Sequence, residues 1–286
     1  MNVDPVSRPG EAGAAAPANN LALRIASAVV LAPLALITAY LGDLPFALFW
    51  GLAAIAVLWE WTTLVAGPHH RLMLSACGSA IAVAALVAWH GRPIAAIMLV
   101  GLGALAALIF APRERRLWIT AGIGYAGAML LAPMLLRADD VDGFLAMVLL
   151  FAIVWTTDVL GFFAGRAFGG PKLMPAVSPK KTWSGAVVGT LGAMIVAVLL
   201  AESFGSFSVG AIALVALLLS VVAQLGDLFE SWIKRQFGAK DASQLIPGHG
   251  GVMDRLDGFW AAAFVGCLIG LLRGGFSGAG AGLLVW

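Results

Sequence analysis

Long apolar segments separated by short polar connections dominate the pattern of hydrophobic and polar positions along this chain. A membrane-spanning helix needs about 20 predominantly apolar residues, and segments of that kind recur along the sequence. They predict an all-α, polytopic membrane protein with about nine transmembrane helices. The predicted spans cover residues 21–41, 44–66, 73–90, 93–111, 118–136, 143–165, 184–202, 209–228 and 258–273.

The parts outside these spans suggest a division of the chain. Residues 1–20 are rich in Ala, Pro, Gly and Asn without an apolar period, which predicts a disordered tail. Two connections, 166–183 and 229–257, are long and polar, and chemistry in such a protein is commonly carried on loops. We therefore predict N-terminal transmembrane helices over 21–136 and a C-terminal catalytic transmembrane region over 137–286.

Composition agrees with a protein whose solvent is lipid. The chain is 61% hydrophobic and only 11% charged, whereas soluble domains carry about 25% charged residues. The net charge of +2 is too small to indicate a nucleic-acid partner. Cys77 and Cys267 lie in apolar segments and suggest neither a disulfide framework nor a metal site.

The distribution of basic residues predicts the orientation. With nine spans, all 17 lysines and arginines except Arg92, Arg137 and Arg273 fall on the same side as the N-terminus. The positive-inside rule places that side in the cytoplasm. Cations of an active site inflate this count, but Arg71 and the basic cluster 113–116 are independent of that objection. We expect a multi-pass protein of the inner cell membrane whose two long loops face the cytoplasm.

Several ionisable residues lie within or beside the predicted spans. Glu60, Asp158, Asp227 and Glu230 occupy such positions, where a charge costs at least about 2.5–3.5 kcal/mol. Residues of this kind persist when they face a bundle interior, pair with a cation or bind a metal. For Glu60 the sequence leaves open a functional role or a structural carboxylate that is protonated or paired with an arginine.

The first long loop contains the run SPKKT, which is typical of a phosphate-binding cluster. Ser178 and Thr182 supply hydroxyl donors, and Lys180 and Lys181 supply positive charge. The run leads directly into a predicted helix, so backbone N–H groups at that helix start are also available to an anion. A basic patch that only sets the topology explains the same residues equally well.

The second long loop interleaves cations with carboxylates and glycines. Carboxylates beside several cations and glycines indicate a site for Mg²⁺ and a polyphosphate, because Mg²⁺ takes oxygen ligands from carboxylates, phosphates and water. His249 stands alone between glycines, and Zn²⁺ sites need three or four ligands. The charged residues are Lys234, Arg235, Lys240, Asp241, Asp254, Arg255 and Asp257.

Motifs of other nucleotide-binding and hydrolytic sites are missing from the sequence. It has no GxxxxGK[ST] phosphate loop after a strand, no GxGxxG that opens a βαβ unit, no HExxH and no GxSxG nucleophile elbow. The two loops are therefore the best candidates for the chemistry.

The run from Ser231 to Asp257 resembles the signature of the phosphatidate cytidylyltransferases, also called CDP-diacylglycerol synthases. The SPKKT run, the stretch from Gln224 to Leu228 and Asp158 ahead of Gly165-Arg166 also resemble this family. The positions that match the signature are Ser231, Lys234-Arg235, Lys240-Asp241, Pro247-Gly248-His249-Gly250-Gly251 and Asp254-Arg255-Leu256-Asp257.

The resemblance implies that CTP and phosphatidic acid react to give CDP-diacylglycerol and pyrophosphate in phospholipid biosynthesis. It implies an Mg²⁺-dependent reaction and leaves a second cation open. Expected metal ligands are Asp227, Asp254 and Asp158. Expected catalytic residues are Asp227, Asp254, Asp257, His249, Lys234 and Arg235, and expected substrate-binding residues are Ser178, Lys180, Lys181, Thr182, Lys240, Asp241 and Arg255.

The chain departs from the family pattern at two places, and other functions stay open. It has Gly161-Phe162-Phe163 where members often have Ala-Tyr-Phe, and Ser184 where they often have Glu. A related CTP-dependent nucleotidyltransferase or a lipid kinase with another lipid acceptor is the main alternative. A transporter and an inactive scaffold are the alternatives from other classes. The Gly-rich stretch after Arg273 permits close helix packing, so a homodimer is also open.

Overall fold

A computed structural model of the chain describes residues 17–67, 70–205, 207–246 and 250–286. These residues form ten helices and one two-stranded sheet. The elements are α1 (Pro17–Leu41), α2 (Asp43–Val65), α3 (His70–Trp89), α4 (Pro93–Phe110), α5 (Arg116–Arg137), α6 (Gly143–Phe168), β1 (Lys172–Met174), β2 (Ser178–Thr182), α7 (Trp183–Phe204), α8 (Val209–Gln236), α9 (Met253–Gly274) and α10 (Ala279–Leu284).

Eight helices in the described part, α2 to α9, are long and apolar enough to cross a membrane. This confirms the prediction of a helical, multi-pass membrane protein. The apolar part of α1 that could be assessed, Val29–Leu41, is shorter than a span. A count of nine spans and a cytoplasmic N-terminus therefore stay predictions. The predicted tail, 1–20, lies mostly outside the described residues, and α1 begins at Pro17.

The second long loop is shorter than the apolar pattern predicts. Helix α8 continues to Gln236 and α9 begins at Met253, so the predicted limits 229–257 were wrong and the loop covers 237–252. The reason is that charged residues extend both helices beyond their apolar segments. Glu230 and Lys234, one helical turn apart, form an ion pair of 2.8 Å that supports this extension.

The first long loop folds as a β-hairpin. Strand β1 pairs antiparallel with β2, with Lys172 opposite Thr182 and Met174 opposite Ser178. The Trp183 backbone N–H donates to the Pro171 carbonyl oxygen at 3.0 Å, which ties the hairpin to the start of α7. The SPKKT run thus lies on a strand that leads directly into a helix.

Helices α6 and α7 approach each other closely at glycines. A Cβ atom on Gly185 would lie 2.5 Å from the Gly161 carbonyl oxygen, and one on Gly189 would lie 2.5 Å from the Thr157 carbonyl oxygen. Small residues of this kind let membrane helices pack backbone against backbone. The close approach fixes the end of α6 and the hairpin relative to each other.

The N-terminal helices pack against α9 through aromatic residues. The Trp61 indole N–H donates to the Trp118 carbonyl oxygen at 2.8 Å, which joins α2 to α5. Tyr125 stacks on Trp260 with ring centroids 4.3 Å apart, and Trp50 stacks on Phe259 at 4.9 Å. These contacts connect the predicted N-terminal and catalytic regions directly.

The C-terminal residues fold back onto the bundle. The short helix α10 packs on α9, α6 and α5, and a Cβ on Gly270 would lie 2.2 Å from the Ala279 carbonyl oxygen. Asp139 accepts a hydrogen bond of 2.8 Å from the Ala281 backbone N–H. The Gly-rich stretch after Arg273, which suggested that a homodimer is possible, therefore makes close contacts within the chain. Cys77 and Cys267 are buried and free, as predicted.

Candidate active site

A cavity of about 800 Å³ lies where the end of α6, the hairpin, the start of α7, the end of α8 and the start of α9 meet. Most of the side chains that the sequence assigned to chemistry line it, although they come from segments far apart in the chain. The predicted residues on its wall are Asp158, Ser178, Lys180, Lys181, Thr182, Asp227, Lys234, Asp241, Asp254, Arg255 and Asp257.

Two predicted site residues, Arg235 and Lys240, are absent from this wall, and a third cannot be placed on it or off it. Arg235 is exposed, and its guanidinium donates to the Ala239 carbonyl oxygen at 3.1 Å, so it serves the end of its own helix. Lys240 is exposed on the loop and is absent from the cavity lining. His249 lies outside the described residues.

The structure adds cavity residues that sequence reasoning did not assign. Arg166 and Lys172 bring two more cations, and Thr157 and Gln224 bring neutral polar groups. Arg166 follows the Gly165 of the family resemblance, which was a usable signal. Lys172 stands in no motif, and only its pairing across the hairpin with Thr182 places it at the cavity.

Asp227 connects α8 to the hairpin. Its carboxylate forms an ion pair with Lys181 of strand β2. It also accepts a hydrogen bond from the Ser231 hydroxyl, one turn along α8, at 3.3 Å. The carboxylate therefore lies at the cavity with one basic partner from the SPKKT run.

Lys234 and Asp254 form a more deeply buried pair. The Lys234 ammonium lies 2.5 Å from the Asp254 carboxylate and 2.8 Å from Glu230. The other Asp254 oxygen accepts backbone N–H bonds from Ala242 at 2.9 Å and Gly251 at 2.8 Å. Charge-assisted bonds of this kind are stronger than neutral ones. Asp254 thus ties the end of α8, at Lys234, to two points of the 237–252 loop.

Other cations at the cavity have no acidic partner. Within the described ranges, Arg166, Lys172, Lys180 and Arg255 have no carboxylate within 4.0 Å. All four side chains are exposed at the cavity, so phosphate groups that arrive from water can reach them. Four cations around one cavity therefore suit a ligand with several phosphate groups.

Carboxylates at the cavity fit a hard divalent cation. Asp158, Asp227 and Asp257 all line it, and in the described part of the chain Asp158 and Asp257 form no ion pair. No three acidic, histidine or cysteine side chains among the described residues are close enough to form a metal cage by themselves. Mg²⁺ is usually held by one or two carboxylates with substrate phosphates and water completing its shell, and the aspartates on this wall are ligands of that type.

Thr182 is structural as well as being on the cavity wall. It is the N-cap residue of α7, and its hydroxyl oxygen accepts from the Gly185 backbone N–H at 3.2 Å. Ser and Thr are favoured at this position because they satisfy an N–H group that the helix leaves free. Its predicted contact with substrate stays a prediction.

Comparisons with known proteins identify a related family. The model of the Cytidylyltransferase family matches residues 22–271. The chain is 41% identical over 257 residues to the phosphatidate cytidylyltransferase of Brucella abortus biovar 1 (strain 9-941), covering 89% of this chain and 94% of the relative. It is 34% identical over 209 residues to the phosphatidate cytidylyltransferase of Rickettsia felis (strain ATCC VR-1525 / URRWXCal2), covering 63% of this chain and 92% of the relative.

Proposed function

The chain belongs to the cytidylyltransferase family, and on that premise we propose that it joins CTP to phosphatidic acid, giving CDP-diacylglycerol and pyrophosphate. The observation that carries this proposal is the cavity. It combines four cations that lack an acidic partner among the described residues with three carboxylates beside apolar helices. Such a site suits one ligand from water and one from lipid.

The proposed reaction needs little acid–base chemistry. An oxygen of the phosphatidate phosphate attacks the α-phosphorus of CTP, a new P–O bond forms, and the bond to the β-phosphate breaks to release pyrophosphate. The attacking oxygen is already ionised at neutral pH. The main difficulty is to bring two anions together, so catalysis depends on positioning and charge neutralisation.

The cations at the cavity are candidates for binding the phosphate groups of the two substrates. Lys180 and Lys181 on β2 and Arg255 at the start of α9 line the same cavity from two different elements. We assign them, together with Lys172 and Arg166, to the phosphates of CTP and phosphatidate. Lys234 has a different role, since Glu230 and Asp254 already occupy its ammonium.

We assign the binding of Mg²⁺ to one or two carboxylates drawn from Asp227, Asp257 and Asp158, with substrate phosphates and water supplying its other ligands. Bound there, the ion would neutralise charge on the polyphosphate and on the departing pyrophosphate. Asp254 was also expected to be a ligand, but its two oxygens already serve Lys234 and two backbone N–H groups. We therefore propose that Asp254 mainly holds the loop. A second cation stays untested.

We further propose that the cavity faces the cytoplasm from the inner cell membrane. Support comes from the excess of lysine and arginine on that side. CTP then arrives from water, and phosphatidate arrives laterally from the bilayer. A homodimer stays an untested prediction.

The test is synthesis by the purified protein in detergent micelles. With CTP, phosphatidate and Mg²⁺ we expect CDP-diacylglycerol and pyrophosphate in equal amounts. Lys181→Ala and Arg255→Ala should each lower turnover by about 10-fold or more, because a hydrogen bond to a charged group contributes about 1.5–3 kcal/mol. Glu114→Gln, at an exposed position outside the cavity, is the matched control.

The alternatives predict different products. A lipid kinase would transfer phosphate from ATP and would not release pyrophosphate from CTP. A related nucleotidyltransferase would use CTP but prefer another acceptor, such as an isoprenyl phosphate. Offering ATP in place of CTP, and other lipid acceptors in place of phosphatidate, therefore separates the three. No product with CTP and phosphatidate would overturn the proposal.

A further inference from the structure

We propose that Glu60, on helix α2 of the N-terminal region, is a positioning residue that caps the first turn of α9 and so fixes the charged cavity residues that this turn carries. The kinetic test of this inference rests on the proposed function, because it measures CDP-diacylglycerol synthesis. The contacts that support the inference are independent of which substrates the protein uses.

Glu60 is fully buried, and among the described side chains it forms no ion pair with an arginine but accepts several hydrogen bonds. One carboxylate oxygen accepts from the Ser243 hydroxyl at 2.6 Å and from the Val252 backbone N–H at 2.8 Å. The other accepts from the Met253 backbone N–H at 2.6 Å. All three donors belong to the segment that begins after Asp241 and ends at the start of α9.

The contact acts as a helix cap supplied by another helix. The N-cap residue of α9 is Val252, which has no polar side chain and makes no side-chain cap bond. The first N–H groups of a helix lack partners within the helix, and a negative charge there also interacts favourably with the helix dipole. Glu60 satisfies two of these groups from about 190 positions earlier in the chain.

The capped turn carries the charges of the site. Asp254, Arg255 and Asp257 follow directly after Met253, and all three line the cavity. Moving this turn would move the carboxylates relative to Asp227 on α8 and Lys181 on β2. A misplacement of about 1 Å can lower a rate by about 100-fold. Glu60 can therefore affect turnover without touching a substrate.

Gly251 shows how closely this contact is built. A Cβ at Gly251 would lie 2.6–2.8 Å from the Glu60 carboxyl atoms, which is closer than side chains are found. Gly251 also donates its backbone N–H to Asp254 at 2.8 Å. The backbone thus passes between the Glu60 and Asp254 carboxylates, and glycine is what allows that passage.

The deciding variant is Glu60→Gln, which keeps the size of the side chain. Its amide group has one acceptor oxygen, so its NH₂ group must face either the Val252 or the Met253 backbone N–H, and two donors cannot bond each other. We expect kcat to fall about 10- to 100-fold as the first turn of α9 shifts. KM for CTP should change little, because most of the phosphate-binding cations belong to the hairpin and α6. Glu114→Gln should match the unaltered protein.

A second measurement separates the cap from the reaction. Hydrogen exchange of peptides covering 243–256 should be faster in Glu60→Gln than in the unaltered protein or in Glu114→Gln. It needs no substrate, so it still tests the cap if the unaltered protein fails to convert CTP and phosphatidate. In that case the proposed function would fail while the cap stood.

Two precautions separate misfolding from a loss of activity. We would measure kcat only on monodisperse protein, and we would add a milder variant. Should Glu60→Gln yield no folded protein, Ser243→Ala removes one of the three bonds, and we expect a several-fold lower kcat with faster exchange at 252–253. Unchanged kcat per folded molecule in the variant measured, or unchanged exchange, would overturn the inference. A loss confined to KM for CTP would overturn it as well.

Discussion

Two aspartates at the cavity, Asp227 and Asp254, differ in how many hydrogen bonds and ion pairs their carboxylates already make. Asp227 has one ion pair, with Lys181, and one hydrogen bond from Ser231. Asp254 has Lys234 on one oxygen and two backbone N–H groups on the other. A carboxylate with more free lone pairs suits a metal, whereas one whose lone pairs are mostly used suits a structural role.

Neutral variants of the two aspartates should therefore fail differently. In Asp227→Asn we expect a higher Mg²⁺ concentration at half-maximal rate, because a metal ligand is lost. In Asp254→Asn we expect kcat to fall by about 100-fold with the Mg²⁺ requirement unchanged, because the loop is displaced. Rates measured across a Mg²⁺ titration decide the matter. A shifted Mg²⁺ requirement in Asp254→Asn would restore it to the metal ligands.

Ser184, one of the departures from the family pattern, has a local structural role. Its hydroxyl donates to the Gly169 carbonyl oxygen and lies 3.1 Å from the Thr182 hydroxyl. It therefore ties the end of α6 to the start of α7. The position does not need a carboxylate in this chain, because the contact made there is to backbone.

The expected outcome for Ser184→Ala is lower stability with little change in rate. Losing the bond to Gly169 should lower the free energy of unfolding by about 1 kcal/mol. Thermal unfolding in detergent measures the first effect, and kcat for CDP-diacylglycerol synthesis measures the second. Ser203→Ala, whose hydroxyl only bonds back to Leu200 of its own exposed helix end, is the control. A large fall in kcat alone would give Ser184 a role in the chemistry.

At the residue scale, the sequence predicted the type of site better than the direction of each side chain. Lys234 and Arg235 are adjacent in the signature, but adjacent residues of an α-helix point about 100° apart. Lys234 is therefore buried at the cavity while Arg235 is exposed. Since the helix was predicted to end at residue 228, this divergence was hidden.

Among the elements, the α6–α7 pair determines how the hairpin meets the cavity. Gly189 and Gly161 lie on facing helices, but they differ in the space available. A Cβ on Gly189 would lie 2.5 Å from the Thr157 backbone oxygen, whereas one on Gly161 would lie at an ordinary 3.4 Å from the Gly185 oxygen. The other family departure, Gly161 in place of alanine, is therefore sterically neutral.

The same substitution should be damaging at one of these two glycines and harmless at the other. Gly189→Ala forces α6 and α7 apart, and since overpacking costs about 1–3 kcal/mol, we expect lower stability and reduced turnover as Asp158 moves from Lys181. Gly161→Ala should match the unaltered protein in both respects. Thermal unfolding and kcat measured on the two variants side by side provide the check. Equal behaviour of the pair would contradict the packing described here.

The length of the apolar segments predicted the helices well, but it predicted neither their polar ends nor the hairpin. The spans within the described residues lie where hydropathy placed them. Charged residues that extend α8 and α9 carry no hydropathy signal, although the spacing of Glu230 and Lys234 suits a helix. Strands of three and five residues are too short for an alternating pattern to stand out.

Across the whole molecule, long-range contacts were the least predictable feature. Glu60 was known to be expensive in a membrane, but its partners lie 183 to 193 positions away. No local pattern connects positions that distant. For the same reason, the packing of α10 against the connection between α5 and α6 was not foreseen.

That connection contains Asp139, which holds α10 through a charge. Burial raises the pKa of Asp139, but hydrogen bonds from the Asp142, Ala281 and Val141 backbone N–H groups outweigh it, so the pKa is lowered from 3.8. A lowered folded pKa means that the stabilisation is present above pH 3.8 and is lost as pH falls through the lower folded value. Asp142 opposes this, because burial and the Asp139 charge raise its pKa.

Removing the Asp139 charge should therefore weaken the bundle at neutral pH and flatten its acid dependence. For Asp139→Asn we expect a loss of about 1–3 kcal/mol near pH 7, since hydrogen bonds to a charged group are lost. The difference from the unaltered protein should shrink only as pH falls below 3.8 and through the lower folded pKa of Asp139, where the native aspartate is also neutralised. Thermal unfolding across pH measures this, with the exposed Asp140→Asn as control. A pH-independent difference would contradict the charge argument.

The side of the membrane that the cavity faces can be decided from two positions at opposite ends of α5. Glu114 precedes this 22-residue helix and Asp140 follows it, and a helix of that length spans about 33 Å. Helix α6 then returns across the membrane and ends at the hairpin, so the cavity lies on the side of Glu114. The basic residues predict that this side is the cytoplasm.

Labelling with a membrane-impermeant maleimide in intact bacterial cells tests this orientation. The reagent should label Asp140→Cys and leave Glu114→Cys unlabelled until the membrane is opened. The native Cys77 and Cys267 are buried and should give little background. The reverse pattern would place the cavity outside, where CTP is not supplied, and would exclude the proposed reaction in that orientation.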